Sequence, residues 1–127
     1  MPFPLFFHRF LPFGRRSEML AIDHLRSLGY RIVTSGYRTK LGEVDVIAWD
    51  GLILVFIEVK SRQNSEPPED SVGHRKRQRI IRAAHHYISR HRLYDSSYRF
   101  DIVAVTVLPE CKPQFRVLQD VFREDGW

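Results

Sequence analysis

Residues 41–60 are mainly β-branched and other apolar residues, with charged residues at every second position near both ends, which predicts two β-strands. Asp50 and Gly51 separate them, and this dipeptide favours the tight turn of a hairpin because both residues tolerate a left-handed backbone. Valine and isoleucine dominate both strands, as is typical of a pleated and partly buried surface. Residues 41–60 therefore predict an antiparallel hairpin.

Four charged residues interrupt this hairpin: Glu43, Asp45, Glu58 and Lys60. A two-residue turn places Glu43 opposite Glu58, and opposite residues of an antiparallel pair share a face, which the alternation extends to Asp45 and Lys60. A four-residue turn keeps this arrangement, whereas a three-residue turn would separate Asp45 from Glu58. The residues of the other face are all apolar and are predicted to lie in the hydrophobic core: Val44, Val46, Ala48, Ile53, Val55, Ile57 and Val59.

Three carboxylates on one face repel one another unless a cation lies between them. Mg²⁺ and Mn²⁺ take oxygen ligands, are commonly held by one or two carboxylates, and keep waters for chemistry. A lysine beside them can orient a water or stabilise the charge of a phosphate. The alternative is a one-sided antiparallel sheet whose charged face is exposed to solvent.

A helical pattern begins at Ser17, a suitable N-cap, and Gly29 is a suitable C-terminal stop. Glu18 lies at the end of the stripe that packs on the sheet. The ordinary explanation of this residue is an acid in the first turn, favoured by the helix dipole. The apolar members of the stripe are Ala21, Ile22, Leu25 and Leu28.

Residues 74–91 predict a second helix whose packing side is Ile80, Ile81, Ala84, Tyr87 and Ile88. Its first turns are strongly basic, which opposes the helix dipole and indicates that a polyanion compensates the charge. Binding to a nucleic-acid backbone is the preferred interpretation, and a solvated basic face is the alternative. The basic residues are Arg75, Lys76, Arg77, Arg79 and Arg82.

The order of helix, strands, helix and strands predicts an α/β fold, with a central mixed sheet of about five strands flanked by helices. Residues 30–34 predict the first strand, residues 99–108 a buried strand and residues 114–121 an edge strand. Residues 61–71, which contain two consecutive prolines, predict a mobile loop.

Residues 35–40 predict a basic turn directly ahead of the hairpin, with Arg38 and Lys40. These cations are placed to meet phosphates that enter the acidic site, although a role in surface solubility is an equally ordinary explanation.

Residues 1–16 form a Phe/Pro-rich arm that precedes a domain of residues 17–122 and a tail of residues 123–127. The positive charge of the arm follows its apolar part, which disfavours a secretory signal. One interpretation is contact with a membrane surface or a partner, and the other is a loosely ordered leader on the domain. The aromatic residues of the arm are Phe3, Phe6, Phe7, Phe10 and Phe13.

The composition narrows the class of protein. A length of 127 residues suits one domain with its own core, and the net charge of +5 favours an anionic partner. The single cysteine excludes an internal disulfide and indicates a reducing compartment, so we predict a cytoplasmic location. The sequence contains neither a Gly-rich phosphate loop nor a stretch that could span a membrane.

Asp45, followed by the acidic-x-lysine triplet of residues 58–60, resembles the signature of the PD-(D/E)XK nuclease superfamily. GEVDVIA at residues 42–48, FIEVK at 56–60 and RFDIVAV at 99–105 resemble the YraN family of predicted bacterial endonucleases. That family is considered similar to archaeal Holliday-junction resolvases. The resemblance covers about residues 16–122 and implies a restriction-endonuclease-like core.

The resemblance implies metal-dependent hydrolysis of DNA, branched DNA included, with Mg²⁺ or Mn²⁺ held by Asp45, Glu58 and Glu18 and supported by Glu43. Lys60 would position the attacking water. Lys76 matches a recurrent lysine of the family, and Asp101 is assigned to support. The family usually has glycine where this chain has Ser17. A resolvase-like enzyme would need two sites, which a homodimer supplies.

Two rival functions belong to other classes. One is a nucleic-acid-binding or adaptor module that has the nuclease fold without turnover. The other is a protein anchored to a membrane or a partner by its N-terminal arm.

Overall fold

The computed structural model describes residues 13–63 and 72–124. The predicted arm up to residue 12, residues 64–71 of the predicted loop and the tail from residue 125 lie outside the described residues. Residues 61 and 62, which were predicted as the start of that loop, are instead the end of a strand. Within the described ranges the elements are α1 (Phe13–Ser27), β1 (Arg31–Arg38), β2 (Glu43–Asp50), β3 (Ile53–Arg62), α2 (His74–Arg90), β4 (Ser97–Thr106) and β5 (Gln114–Phe122).

The five strands form one sheet in the order β1-β2-β3-β4-β5. β3 and β4 are parallel, because α2 carries the chain back between them, and the other three pairs are antiparallel. β5 is an edge strand, as its sequence predicts. The structure confirms the α/β fold with a mixed sheet of five strands flanked by helices.

One helix packs on each face of the sheet. Val55 and Ile57 of β3 belong to the apolar cluster of α1, whereas Leu54 and Phe56 belong to the cluster of α2. This alternation follows from the period of two in side-chain direction along a strand. Neither described helix has the length and apolarity needed to cross a membrane.

The first helix begins four residues earlier than predicted. Ser17 is fully buried inside α1, so its assignment as the N-cap is wrong. A small side chain suits that packed position, and residues 14–16 continue the helix ahead of it. Gly29 ends the helix as predicted, because its φ of 94° is the left-handed conformation that glycine adopts readily. Leu28, predicted on the packing stripe, follows the last helical residue and is 54% exposed.

β1 is longer than predicted, and most of the predicted basic turn is strand. Gly36, with a φ of 63°, allows the strand to continue, so that Arg38 pairs with Glu43 of β2. The turn itself is formed by residues 39–42. The Thr39 hydroxyl oxygen accepts hydrogen bonds from the backbone N–H groups of Leu41 and Gly42 and thereby closes the turn.

The β2–β3 hairpin turns at Gly51 and Leu52, one residue later than predicted, since Asp50 pairs with Ile53. Gly51 has a φ of 58°, which a tight hairpin turn requires. The register is shifted by two positions, so the predicted alignment of Glu43 with Glu58 is wrong. A shift of two preserves which residues share a face.

The last two strands are close to their predicted bounds, and β4 carries a buried ion network. Arg99 donates to both Asp101 and Asp50, at 3.0 and 2.8 Å, and to the Tyr30 hydroxyl at 3.0 Å. Asp101 is only 1% exposed and also accepts from the backbone N–H of Asp120. Asp101 therefore belongs to a structural ion network, and its support of the site stays a prediction.

Candidate active site

The candidate site lies where β2 and β3 separate. Their paired residues run from Asp50 and Ile53 to Val46 and Ile57. Beyond that point the Asp45 carboxylate accepts a hydrogen bond of 2.8 Å from the backbone N–H of Val59. A side chain therefore replaces the backbone partner that a continued ladder would supply.

β2 changes faces at Asp45. Val44 packs in the cluster of α2, although Val46, two residues along, packs in the cluster of α1. The prediction that these two valines share a face is therefore wrong. The switch leaves Asp45 between the two helical layers, within reach of carboxylates from both.

Glu58 approaches Asp45 from the α2 side of β3. It is only 6% exposed, and its Oε1 atom lies 3.5 Å from Nζ of Lys76. Its Oε2 atom is buried and has no hydrogen-bond partner among the described residues. Burial, together with the negative charge of Asp45, raises the pKa of Glu58 to about 7.

Glu18 approaches Asp45 from α1 and is half-buried. Burial and then the negative charge of Asp45 raise its pKa to about 7, and the cations Arg15 and Arg38 oppose this shift. A first-turn acid does not describe this residue, since α1 begins five residues earlier, at Phe13. The fold thus brings Glu18 and Glu58 to Asp45, each from a different helical layer.

These carboxylates suit a hard divalent cation. Two raised pKa values and one unpaired buried oxygen are features that a positive charge would relieve, and the donors are all oxygens. Across residues 13–63 and 72–124, however, no three His, Cys, Asp or Glu side chains are grouped so that they could hold an ion. Side chains would therefore have to reorient around a bound ion.

Glu43 is occupied by arginines. Its carboxylate lies 3.2 Å from Nε of Arg38 and 3.7 Å from a guanidinium nitrogen of Arg79. Two guanidinium groups offset its charge, which leaves it less available to a metal than Glu58. Glu43 nevertheless lines the same polar cavity of about 510 Å³ as Glu18 and Asp45.

Lys60 lies two residues after Glu58 on β3. Ile57 and Val59 pack toward α1, so the alternation directs Glu58 and Lys60 toward the other face. The charge of Lys60 acts to lower the pKa of Glu58, although burial outweighs it. Glu58 and Lys60 therefore lie on the same face of β3, as predicted.

The basic residues of α2 divide into two groups. Lys76 and Arg79 contact site carboxylates, whereas Arg75 and Arg82 are exposed and line a shallow cavity of about 410 Å³ with His74 and other residues of α2. Arg77 is half-buried, and Lys40 is exposed in the turn before β2. The α2 N-terminus has neither a side-chain cap nor an acidic first turn. A basic helix end of this kind can accept phosphates.

Two contributors to the site were not predicted. Arg15 lines the polar cavity, but it lay in the segment interpreted as an arm. Gly42 abuts α2 so closely that an added Cβ would overlap the carbonyl oxygen of Arg79. Its place beside Glu43 in the motif was the signal that could have identified it.

Curated relatives cover most of the chain. A UPF0102 protein of Alkaliphilus metalliredigens is 41% identical over 101 residues, which are 78% of this chain and 89% of that protein. A UPF0102 protein of Geotalea uraniireducens is 38% identical over 111 residues, with 86% and 87% covered. Among solved structures, Hjc of Archaeoglobus fulgidus, a Holliday junction resolvase, is 17% identical with a TM-score of 0.41 over 88% of this chain and 89% of that one.

The family model "Uncharacterised protein family UPF0102" matches residues 17–105. The match includes the hairpin motifs, the basic helix and most of β4. The chain therefore belongs to UPF0102, the YraN family that its motifs resemble.

Proposed function

We propose that this protein is a nuclease that hydrolyses phosphodiester bonds of DNA with Mg²⁺ or Mn²⁺. The observation that carries the proposal is the convergence of Glu18 and Glu58 on Asp45, with Lys60 alongside and one Glu58 oxygen unpaired. Perturbed carboxylates in a polar cavity are typical of catalytic sites.

Asp45, Glu58 and Glu18 would hold the metal, and Glu43 would support them. The bound ion would supply Lewis acidity toward the scissile phosphate and a water of lowered pKa. Lys60 would donate a hydrogen bond to the attacking water and stabilise the negative charge that develops on the phosphate. Arg75, Lys76, Arg77, Arg79, Arg38 and Lys40 would hold the DNA backbone, and the exposed Arg82 beside Arg75 would contact it too.

Branched DNA is the proposed substrate class, from the resemblance of the motifs to those of resolvase-like nucleases. Symmetric cleavage of two strands would need two sites, and we propose a two-fold homodimer on that ground. Comparing the cleavage of a four-way junction with that of a linear duplex of the same sequence tests the preference for branched DNA.

The direct test is cleavage of labelled linear, single-stranded, flap and four-way-junction DNA with Mg²⁺, Mn²⁺ or chelator. We expect metal-dependent cutting that Asp45→Asn abolishes, because Asp45 lies close to both Glu18 and Glu58 and would be a ligand of the metal. Asp95→Asn, at an exposed position after α2, is the matched control and should cut normally. Cutting that persists in Asp45→Asn would contradict the proposal.

A binding module without turnover is the second candidate. It is favoured by the arrangement of the described carboxylates, of which no three are grouped to hold an ion. Such a module would bind DNA equally with chelator and with Mg²⁺, and Asp45→Asn would leave that binding unchanged. DNA binding without cutting in any metal would select this candidate.

Salt dependence tests the role of the exposed α2 arginines. We expect the double variant Arg75→Gln/Arg82→Gln to reduce the slope of log K against log salt by about 2 for duplex DNA, because each lost phosphate contact releases roughly one counterion fewer. Fluorescence anisotropy between low and moderate salt measures the slope. Arg116→Gln, exposed on β5, is the matched loss of charge and should change the slope little.

A further inference from the structure

An ion pair joins helix α2 to the carboxylates of the site, which are Glu18, Asp45 and Glu58. Lys76 Nζ lies 3.5 Å from Oε1 of Glu58, and the lysine side chain is 39% exposed while the glutamate side chain is 7% exposed. The ammonium thus has access to solvent on one side and to the buried carboxylate on the other. Lys76 is also one of the residues that the proposed function assigns to the DNA backbone.

The ion pairs of Glu58 differ from those of Glu43. Glu43 is neutralised by two guanidinium groups, so the loss of one would leave the other in place. Glu58 instead forms an ion pair of 3.5 Å with Lys76, the charge of Lys60 also acts on it, and its Oε2 atom has no hydrogen-bond partner among the described residues. An ion that binds Glu58 would lie beside the ammonium and repel it.

We propose that Lys76 neutralises Glu58 in the metal-free protein and transfers to a DNA phosphate when a divalent cation binds. This inference rests on the proposed function and adds a coupling to it. The bound cation takes the place of the Lys76 ammonium beside Glu58. The DNA phosphate takes the place of the Glu58 carboxylate as the partner of Lys76. Each ligand therefore favours the other, as thermodynamic linkage requires.

The coupling predicts an opposite effect of one substitution on the two ligands. Lys76→Met removes the competing ammonium, so the variant should bind a divalent cation more tightly in the absence of DNA. The same substitution removes a phosphate contact, so DNA should bind more weakly. Arg82 is exposed and forms no ion pair within the described residues, so Arg82→Gln should weaken DNA binding without tightening cation binding beyond the effect of general charge.

The experiment uses Ca²⁺ as the cation and a labelled linear duplex, at pH 8 and constant ionic strength. Calorimetry measures Ca²⁺ affinity without DNA, and anisotropy measures DNA affinity with Ca²⁺ or chelator. We expect Lys76→Met to bind Ca²⁺ about fivefold more tightly, and the roughly tenfold gain in DNA affinity caused by Ca²⁺ to fall to about threefold. Arg82→Gln should retain the tenfold gain.

Each outcome bears on the inference. If wild-type protein binds both ligands, and Lys76→Met changes neither the Ca²⁺ affinity nor the coupling, the transfer of Lys76 is wrong while the proposed function stands. If wild-type protein binds neither Ca²⁺ nor DNA, the proposed function and the inference both fail. A loss of coupling in Arg82→Gln equal to that in Lys76→Met would replace the transfer with a general charge effect.

Discussion

Replacing Gly42 with alanine is expected to destabilise the folded protein by about 3 kcal/mol. An added Cβ would overlap the carbonyl oxygen of Arg79 and would lie 3.2 Å from the backbone nitrogen of Ala83. Both neighbours are backbone atoms within α2, so a rotamer change cannot relieve the clash. Either the helix or the start of β2 must move, and equilibrium unfolding in urea measures the cost.

Gly14→Ala is the matched control, because a Cβ at Gly14 would meet no atom within 4 Å. Gly14 lies in the first turn of α1, where alanine favours the helix, so that variant should be as stable as the wild type or slightly more stable. If Gly42→Ala unfolds at the same urea concentration as Gly14→Ala, the close approach of β2 to α2 is wrong.

The same contact connects the fold to the site. Gly42 precedes Glu43, whose carboxylate lies 3.7 Å from Arg79 of the helix turn that Gly42 abuts. A larger residue here would therefore separate β2 from α2 and weaken that ion pair. Gly42 of the family motif is therefore required because α2 leaves no room for a side chain, and not because of its backbone conformation.

The hairpin shows what the sequence could predict. Glu43, Asp45, Glu58 and Lys60 were identified as charged residues at every second position of two apolar strands, and that spacing can be read without knowing where the turn lies. The turn lies one residue later than predicted, yet a register shift of two preserves the faces along the paired residues 46–50 and 53–57. Charged residues within apolar strands are therefore a robust local signal.

The change of face at Asp45 could not be predicted from the strand pattern. It depends on contacts between residues that are distant in sequence: Gly42 against α2, Val44 in the cluster of α2, and the Asp45 carboxylate on the Val59 N–H. Alternation describes a regular ladder, whereas this site forms where the ladder ends. The approach of Glu18 was available only through the family resemblance.

The start of α1 was misplaced for a different reason. Serine is a frequent N-cap, and Ser17 precedes an acidic residue and an apolar stripe, so local preference favoured a helix start there. Burial of Ser17 in the tertiary structure overrode that preference. As a result, Arg15 was assigned to an arm although it lines the site cavity.

Replacing Glu58 with glutamine is expected to stabilise the protein at pH 8 by about 2 kcal/mol. Burial and the charge of Asp45 raise the pKa of Glu58 to about 7, above the ordinary value of 4.5 that the unfolded chain retains. Between these two values the folded protein binds more protons than the unfolded chain, so the free energy of unfolding falls as pH rises. Glutamine removes the charge that causes this loss.

The pH dependence separates this effect from a simple change in packing. Urea unfolding at pH 8 should show the full gain, and at pH 5 the gain should shrink below about 1 kcal/mol, because Glu58 is then largely protonated in the folded state. Glu110→Gln, at an exposed position, should show no such difference. An equal gain at both pH values would contradict the electrostatic cause.

Mg²⁺ should reduce the difference in stability between the wild type and Glu58→Gln at pH 8. A cation bound at Glu58 would compensate its charge, so Mg²⁺ at pH 8 should raise the free energy of unfolding of the wild type more than that of Glu58→Gln. The variant would thus be more stable without metal and inactive with it, because the carboxylate that destabilises the metal-free fold is the one that the metal requires. A functional site commonly lowers the stability of the ligand-free protein, because its buried charges are compensated only when the ligand binds. If Mg²⁺ stabilises both proteins equally, Glu58 does not hold the ion.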